Sequence, residues 1–176
     1  MAELITEDYR AEQKRLHDVG NYGTAALKWG KYVSALIDRL QVVSVLDYGC
    51  GSKRSLLKVL ESERDVFYRG YDPAIPEFAG KEPSDLVCCI DVLEHIEPHL
   101  LDNVLDDLAE LSRPWAFLTI HTGPAAKILS DGRNAHLIQK PAEWWLPKLM
   151  QRWELHSFNR TENGFFVVCQ SRPSAN

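Results

Sequence analysis

The sequence contains no long apolar run and no paired cysteine spacing, and both absences limit what the protein can be. Its 176 residues include no stretch that approaches the roughly 18 apolar residues of a membrane span. The N-terminal segment carries acidic groups where a secretory signal needs basic and apolar ones. Four cysteines are present without a CxxC spacing, and Cys88 and Cys89 are adjacent within an apolar run, which is typical of buried thiols in a reducing compartment. We therefore expect a soluble cytoplasmic protein.

Internal repeats, Pro/Gly/Ser-rich linkers and a strongly basic region are also missing. The net charge is −5, with the acidic excess in residues 61–110 and only a mild basic excess in residues 121–160. Proteins that bind duplex nucleic acid usually present a basic face, because neutralised phosphates supply most of the affinity. We predict a single domain over residues 1–176, with neither a duplex nor a membrane as partner. Within it, residues 1–40 are expected to form a helical lid on a core of residues 41–176.

Strands and helices are predicted to alternate along this core. Apolar runs indicate strands at residues 42–48, 66–71, 86–90 and 115–121, and a closing antiparallel hairpin of residues 154–158 and 165–170. Helical periodicity and end signals indicate helices at residues 7–19, 24–40, 55–61, 98–112 and 141–153. This order predicts a doubly wound, Rossmann-like α/β fold, a three-layer sandwich with a mostly parallel sheet. Ligands of such sheets bind beyond the carboxyl ends of the strands.

The stretch VLDYGCG at residues 45–51 is the most informative part of the sequence. Gly49 and Gly51 allow the backbone to turn from a strand into a helix and to approach a ligand closely. Asp72 follows Gly51 by 21 residues, at the end of the next strand, where a carboxylate can bind both ribose hydroxyls of a nucleoside. Together these features indicate an adenosyl ligand.

Charges around this loop distinguish between adenosyl ligands. Lys53 and Arg54 occupy the region where a dinucleotide-binding loop has its third glycine. Asp47 lies at the entrance of the loop, where a carboxylate repels a pyrophosphate and attracts an ammonium group. The electrostatics therefore favour S-adenosylmethionine over NAD, and make a nicotinamide oxidoreductase a distant alternative.

The segments LDYGCG, GYDP and SDLVCCIDVLEHIEP resemble successive motifs of class I S-adenosylmethionine-dependent methyltransferases, and the chain looks like a small, type 11/12-like member over residues 43–122. In that family the glycine loop holds the methionine end, the acidic residue after the second strand holds the ribose, and the loop after the next central strand lines the pocket. The resemblance therefore implies these cofactor-binding residues: Asp47, Tyr48, Gly49, Gly51, Asp72, Pro73, Asp91 and Val92.

This chain departs from the family after the second strand. Only twelve residues separate Asp72 from Asp85, which is too few for the helix, strand and helix that the family usually places there. The strand that normally supplies an adenine-contacting residue is therefore expected to be missing, and the adenine contact has no assigned residue.

A possible metal site follows the third core strand. Asp91, Glu94 and His95 are spaced i, i+3 and i+4, so they share one face if a helix begins there, and His136 is the natural further ligand of a divalent cation such as Mg, Mn or Zn. The pattern is similar to the acidic-x-x-Glu-His…His site of enzymes that methylate the terminal 2′-hydroxyl of small RNAs, and of ubiquinone-pathway O-methyltransferases. This likeness implies a metal that orients and acidifies a hydroxyl, although Asp91 stands where the pattern has Glu.

Without a metal, a histidine is the expected general base, because its pKa lies near the working pH. His95 is the first candidate, assisted by Glu94 and His136, and His121 is also eligible. His17 and Tyr22 are expected in a surface loop, with closure over the cofactor as the alternative. Three tryptophans are predicted to pack in the core from one helix: Trp144, Trp145 and Trp153.

These features predict a methyltransferase that acts on the hydroxyl, or less readily an amine, of a small molecule. One alternative is a metal-dependent 2′-O-methyltransferase of RNA 3′ ends, supported only by the basic excess in residues 121–160. Another is a non-catalytic, S-adenosylmethionine-binding regulatory module. The chain lacks the Asp/Asn-Pro-Pro-aromatic motif and the Pro-Cys nucleophile, which disfavours methylation of DNA amino groups and of cytosine C5.

Overall fold

The computed structural model describes residues 2–18, 24–60 and 66–172, and within them strands and helices alternate as predicted. The helices are α1 (Glu7–Asp18), α2 (Gly30–Leu40), α3 (Ser55–Leu60), α4 (Leu101–Leu111) and α5 (Ala142–Met150). The strands are β1 (Ser44–Tyr48), β2 (Phe67–Tyr71), β3 (Ser84–Ile90), β4 (Ser112–His121), β5 (Trp153–Thr161) and β6 (Gly164–Ser171). Within these ranges, every helix is too short or too polar to cross a lipid bilayer.

The six strands form one mixed sheet in the order β2-β1-β3-β4-β6-β5. Strands β2, β1, β3 and β4 run parallel to one another, whereas β6 pairs antiparallel with both β4 and β5. This arrangement confirms the predicted α/β class and the C-terminal hairpin. It also leaves β2 at the edge of the sheet, since the connection from β2 to β3 contains only the short 3₁₀ turn Pro76–Phe78.

Helices cover both faces of the sheet, as a three-layer sandwich requires. One face packs against α4 and α5, whose apolar sides include Leu105 and Trp145. The other packs against α2 and α3 through Val33 and Leu56. Side chains of β3 alternate between the two cores, and all four cysteines are reduced and buried, as predicted.

Three predicted helices differ from those observed. The helix expected at residues 24–40 is divided into a 3₁₀ turn, Ala25–Trp29, and α2, which begins at Gly30. A Cβ at Gly30 would lie 2.0 Å from Cγ1 of Val59, so the glycine allows close packing on α3. The predicted 98–112 helix ends at Leu111, and the residues after it, Pro114 included, belong to β4.

Trp153 was expected on the last helix, but it is the first residue of β5. In the turn that precedes it, the guanidinium of Arg152 forms ion pairs with Asp102 and Asp106 of α4. All three predicted tryptophans are nevertheless part of the same core, as expected.

The N-terminal residues do not act as one unit. Helix α2 is a layer of the sandwich, whereas α1 packs away from it, on the segment between β4 and α5. Ile5, Tyr9 and Leu16 share a small third core there with Leu129 and Ala135. Of the predicted lid, only α1 lies apart from the sandwich, and its role as a lid stays a prediction.

Candidate active site

A cavity of about 520 Å³ lies at the carboxyl ends of the parallel strands. This volume falls within the range of small-molecule sites. The cavity is bounded by α1, by the loops after β1, β2 and β3, and by the 121–136 region. Predicted site residues that line it are Asp47, Gly49, Asp72, Pro73, Asp91, Val92, His95 and His136.

The glycine loop after β1 has the backbone geometry that the sequence suggested. Gly49 and Gly51 have φ values of 78° and 60°, in the left-handed region that favours glycine. A Cβ at Gly49 would also lie 2.5 Å from Cγ2 of Val92. Glycine therefore permits both the turn and the close approach of the loop that follows β3.

Asp72 is fixed by backbone donors on both sides. Its Oδ2 accepts a hydrogen bond from the Gly51 N–H (3.1 Å), and its Oδ1 accepts one from the Ala74 N–H (2.9 Å). The residue is 6% exposed and lines the cavity. The carboxylate thus joins the glycine loop to the loop after β2.

Asp47 is a buried carboxyl group that faces the same cavity. Its Oδ2 accepts a 2.8 Å hydrogen bond from the hydroxyl of Tyr68. Burial raises the pKa of Asp47 to about 7, although the Tyr68 hydrogen bond opposes this shift. Tyr68 was not recognised from the sequence. The signal is that β1 and β2 are parallel, with Val45 opposite Tyr68, which places the tyrosine diagonally beside Asp47.

Asp91 follows β3 in a left-handed conformation (φ 51°), and the next residues form a 3₁₀ turn, Leu93–His95, instead of the expected helix. Its carboxylate Oδ1 accepts a 2.5 Å hydrogen bond from the Thr119 hydroxyl, and Oδ2 lies 3.6 Å from Nζ of Lys28. The prediction that Asp91 shares one face with Glu94 and His95 is therefore wrong.

The other three predicted metal ligands do come together. One potential ligand atom each of Glu94, His95 and His136 lies within 4.8 Å of the others. Nδ1 of His95 donates to the Ala135 carbonyl (2.8 Å), and Nδ1 of His136 donates to the Gly123 carbonyl (2.7 Å). Backbone carbonyls commonly fix the rings of metal-binding histidines in this way, leaving Nε2 for the metal.

Burial controls the charge state of this cluster. Glu94 is fully buried; its Oε1 accepts a hydrogen bond from the His121 N–H (3.0 Å), and its Oε2 has no partner among the described residues. Burial, with the nearby Asp91 carboxylate, raises the pKa of Glu94 to about 8. Burial and the neighbouring His136 lower the pKa of His95 to about 4, and burial also lowers the pKa of His136. Both imidazoles are therefore neutral at physiological pH.

The remaining candidates are placed as follows. The Tyr48 side chain is in the core and donates to Asp107 (2.8 Å), so it does not line the cavity. His121 lines the cavity, with its ring 4.8 Å from that of His136. His17 is on α1 with its side chain only 8% exposed, not in a surface loop as expected. Tyr22 lies outside the described residues.

A family model described as a methyltransferase domain matches residues 13–169. No curated protein sequence gives a significant match. Among solved structures, a similar fold is found in the 1,6-didemethyltoxoflavin-N1-methyltransferase of Burkholderia thailandensis, solved with 1,6-didemethyltoxoflavin and S-adenosylhomocysteine bound. Its TM-score is 0.63 at 18% identity, over 98% of this chain and 93% of that one.

Two further structures share this fold. An O-methyltransferase family protein from B. thailandensis has a TM-score of 0.62 at 12% identity, over 96% of this chain and 63% of that one. A TehB-like SAM-dependent methyltransferase from Corynebacterium glutamicum has a TM-score of 0.58 at 15% identity, over 94% of this chain and 97% of that one. The sheet with its antiparallel C-terminal hairpin is thus an architecture that known methyltransferases use.

Proposed function

The chain belongs to the methyltransferase-domain family, as a class I S-adenosylmethionine-dependent enzyme, and we propose that it methylates a hydroxyl group of a small molecule. The size of the cavity, about 520 Å³, supports a small acceptor. The B. thailandensis N1-methyltransferase, which has a similar fold, has a small molecule bound in its structure. The observation that carries the choice of a hydroxyl is the Glu94–His95–His136 cluster beside the cofactor cavity.

For the cofactor we propose the residues that the sequence motifs indicated, apart from the side chain of Tyr48. S-adenosylmethionine supplies a methyl group on a positively charged sulfur, next to an ammonium group. Asp47 suits this charge, since it is a buried carboxyl that lines the cavity without an ion pair to any described cation. Asp72 suits the ribose, because each carboxylate oxygen keeps acceptor capacity beyond its one backbone hydrogen bond. Gly49, Pro73, Asp91 and Val92 line the walls around them, and Gly51 supports Asp72 through its backbone N–H.

For the metal we propose Glu94, His95 and His136 as ligands, without Asp91. The fit rests on the buried, unpartnered Oε2 of Glu94 and on two imidazoles whose Nδ1 atoms are held by backbone carbonyls. The two imidazoles suit Zn and the carboxylate suits Mn, so either divalent cation is compatible with this ligand set. A divalent cation there would lower the pKa of a bound hydroxyl group.

The electrostatics favour this role over direct general-base catalysis by His95. A general base works best when its pKa lies near the operating pH, whereas burial lowers the pKa of His95 to about 4. A neutral imidazole is, by contrast, the form that binds a metal. His121 stays outside the cluster but lines the cavity, and we assign to it the acceptance of the hydroxyl proton.

The chain's own residues then account for the reaction. The acceptor hydroxyl loses its proton to His121, its oxygen forms a bond to the methyl carbon, and the bond from that carbon to sulfur breaks. S-adenosylhomocysteine leaves as a neutral thioether. Positioning contributes to the rate, because a well-oriented bimolecular step gains a large effective concentration.

An RNA acceptor is less well supported by the structure than by the sequence. Its independent support was the basic excess in residues 121–160, but three of the six basic residues there form ion pairs with carboxylates. The pairs are Arg133 with Asp131, Arg152 with Asp102 and Asp106, and Arg160 with Glu143. Their positive charge is therefore partly neutralised, which weakens the case for a phosphate-binding face.

The proposal is tested by following labelled methyl transfer from S-adenosylmethionine into pools of small phenols, alcohols and amines. Protein stripped with a chelator should be inactive, and Mn or Zn should restore transfer into a hydroxyl compound. The variant His136→Ala should stay inactive after metal addition, whereas His156→Ala, which changes a histidine on β5 outside the cavity, should behave as wild type. Full activity in the stripped protein would refute the metal, and labelling only of amines would refute the hydroxyl acceptor.

A further inference from the structure

Helix α1 forms one continuous wall of the cavity. Tyr9, Gln13 and His17 of α1 line it at a spacing of four residues, and Ile5, which precedes the helix, continues the same spacing. Residues four apart lie on the same side of an α-helix, one turn after another. This stripe was not recognised from the sequence, because two of its members, Gln13 and His17, are polar.

The two ends of the stripe reach different parts of the site. At one end, the hydroxyl of Tyr9 donates to the carbonyl of His95 (2.7 Å), next to the proposed metal ligands. At the other end, Nε2 of His17 lies 3.8 Å from Oδ2 of Asp72. Eight residues of helix separate Tyr9 from His17, or about 12 Å along the axis. The wall therefore extends from the acceptor side of the cavity to the ribose-binding carboxylate.

On the cofactor side of the cavity, the sheet contributes least to the wall of the pocket. Strand β2 is at the edge, and no described strand continues the sheet beyond it. The loop after β2 offers Asp72, Pro73 and Ala74, and α1 is fastened to this loop, since Nη1 of Arg10 donates to the Pro73 carbonyl (2.6 Å). Helix α1 is thus attached to the loop that follows the edge strand, and together with that loop it lines the pocket.

His17 has the properties of a ligand-contacting residue at this position. Its side chain is 8% exposed, lines the cavity and lies beside the carboxylate expected to bind the ribose. Burial lowers the pKa of His17, while the Asp72 carboxylate opposes this shift. The neutral ring is flat and carries both a donor and an acceptor, so it can stack on a base or hydrogen-bond to a sugar.

We infer that α1 replaces the missing strand as a wall of the cofactor pocket, and that His17 contacts the adenosyl half of S-adenosylmethionine beside Asp72. This inference rests on the proposed cofactor site. It assigns a residue to the adenosine contact that the sequence motifs could not supply. It also means that a residue outside the three sequence motifs contributes to the preference for adenosyl ligands.

Calorimetric titration of the full chain with S-adenosylhomocysteine and with 5′-methylthioadenosine tests this assignment. The second compound keeps the adenosine and lacks the amino-acid group. The variant His17→Ala should lower the affinity for both ligands by the same factor, about tenfold or more. Lys14→Ala, at an exposed position of the same helix, is the matched control and should leave both affinities unchanged. Equal affinity of wild type and His17→Ala for both ligands would overturn the inference and leave the proposed function standing.

A measurement on the wild-type protein keeps the test valid if His17→Ala does not fold. The ring signals of His17, assigned in NMR spectra by their loss in His17→Gln, should shift when 5′-methylthioadenosine is added. Unchanged His17 signals at saturation would overturn the inference. Failure of the wild-type protein to bind either ligand would instead refute the proposed cofactor site.

Discussion

The cavity has two halves that are built in different ways. The cofactor half is formed by the loops after β1, β2 and β3. Backbone N–H groups hold its carboxylate Asp72, and glycines form the turn of the loop after β1. The acceptor half, formed by the Leu93–His95 turn, residues 121–136 and the first part of α1, positions its side chains through contacts between distant segments. Backbone-built sites are readable as short motifs, whereas in a site assembled from distant segments the sequence shows side chains but not the contacts that orient them.

The same contrast holds for the charges. In the cofactor half, buried carboxyl groups face the cavity with hydroxyl or N–H donors as partners. In the acceptor half, burial keeps the imidazoles of His95 and His136 neutral and leaves one oxygen of Glu94 without a partner among the described residues. The first arrangement suits an organic cation with a ribose, and the second suits a metal ion. The two halves should therefore respond separately to substitution.

Loss of the Asp72 carboxylate should give the largest effect. Asp72→Ala removes the expected ribose acceptor and the two hydrogen bonds that join the glycine loop to the next loop. Charge-assisted hydrogen bonds contribute roughly 1.5–3 kcal/mol each, so the affinity for S-adenosylhomocysteine should fall by about 100-fold or more. Calorimetry measures this change.

Asp85→Ala provides the matched control for that experiment. Asp85 also accepts from two backbone N–H groups, those of Val43 and Ser44, but it lies outside the cavity. It should lower stability without changing the affinity of the folded protein for the cofactor product. Equal losses of affinity in both variants would show that Asp72 acts only by supporting the fold.

A second test concerns the free energy of unfolding, which the buried Asp47 carboxylate of the cofactor half lowers. Because burial raises the pKa of Asp47 in the folded protein to about 7, above that of an unfolded aspartate, the unfolded state releases this proton first as pH rises. The resulting loss of folding stability is therefore absent below the unfolded pKa of about 4. It grows between that value and pH 7, and it is constant above pH 7.

Asp47→Asn should accordingly raise the free energy of unfolding of the ligand-free protein by about 1–3 kcal/mol at pH 8. For a chain of this size, that corresponds to a rise in Tm of roughly 3–10 °C. The gain should vanish near pH 4, and thermal melts across this pH range measure it. A gain that does not depend on pH would contradict a buried, titrating Asp47.

The smallest expected effect concerns Tyr68. Tyr68→Phe removes the hydrogen bond that stabilises the Asp47 carboxylate, so the pKa of Asp47 should rise further. The affinity for S-adenosylmethionine should fall a few-fold at pH 7, and the pH at which binding reaches half its maximum should move upward. Calorimetric titrations at several pH values measure this midpoint. An unchanged midpoint would mean that Asp47 does not carry the cofactor's charge.

How far the sequence predicts this molecule follows the same division. The order of strands and helices was confirmed, because each element has its own hydrophobic pattern. The short connection after Asp72 correctly indicated a missing strand. Glu94, His95 and His136 were correctly grouped, although Ala135 and Gly123, which orient the two rings, could not be identified from residue types because they act through backbone carbonyls.

Errors occurred where tertiary contacts override local patterns. Asp91 was placed with Glu94 by helical spacing, but its left-handed backbone and its hydrogen bond with Thr119 turn it away. Tyr68 was missed as a cavity partner, and His17 was expected in a surface loop with closure over the cofactor only as the alternative. Both residues reach the site through strand pairing or the packing of α1, which no short motif encodes.

The most direct test of the two-part site is a titration of Mn²⁺ into protein saturated with S-adenosylhomocysteine, followed by electron paramagnetic resonance. We predict one bound ion per chain in the wild type and in His156→Ala. The affinity for Mn²⁺ should be at least tenfold lower in Glu94→Gln and His136→Ala, since a loss of roughly this size is expected even for residues that only support a ligand. All four proteins should bind S-adenosylhomocysteine equally well. Absence of a bound ion in the wild type, or a loss of S-adenosylhomocysteine binding in Glu94→Gln, would contradict a metal-binding acceptor half that is separate from the cofactor half.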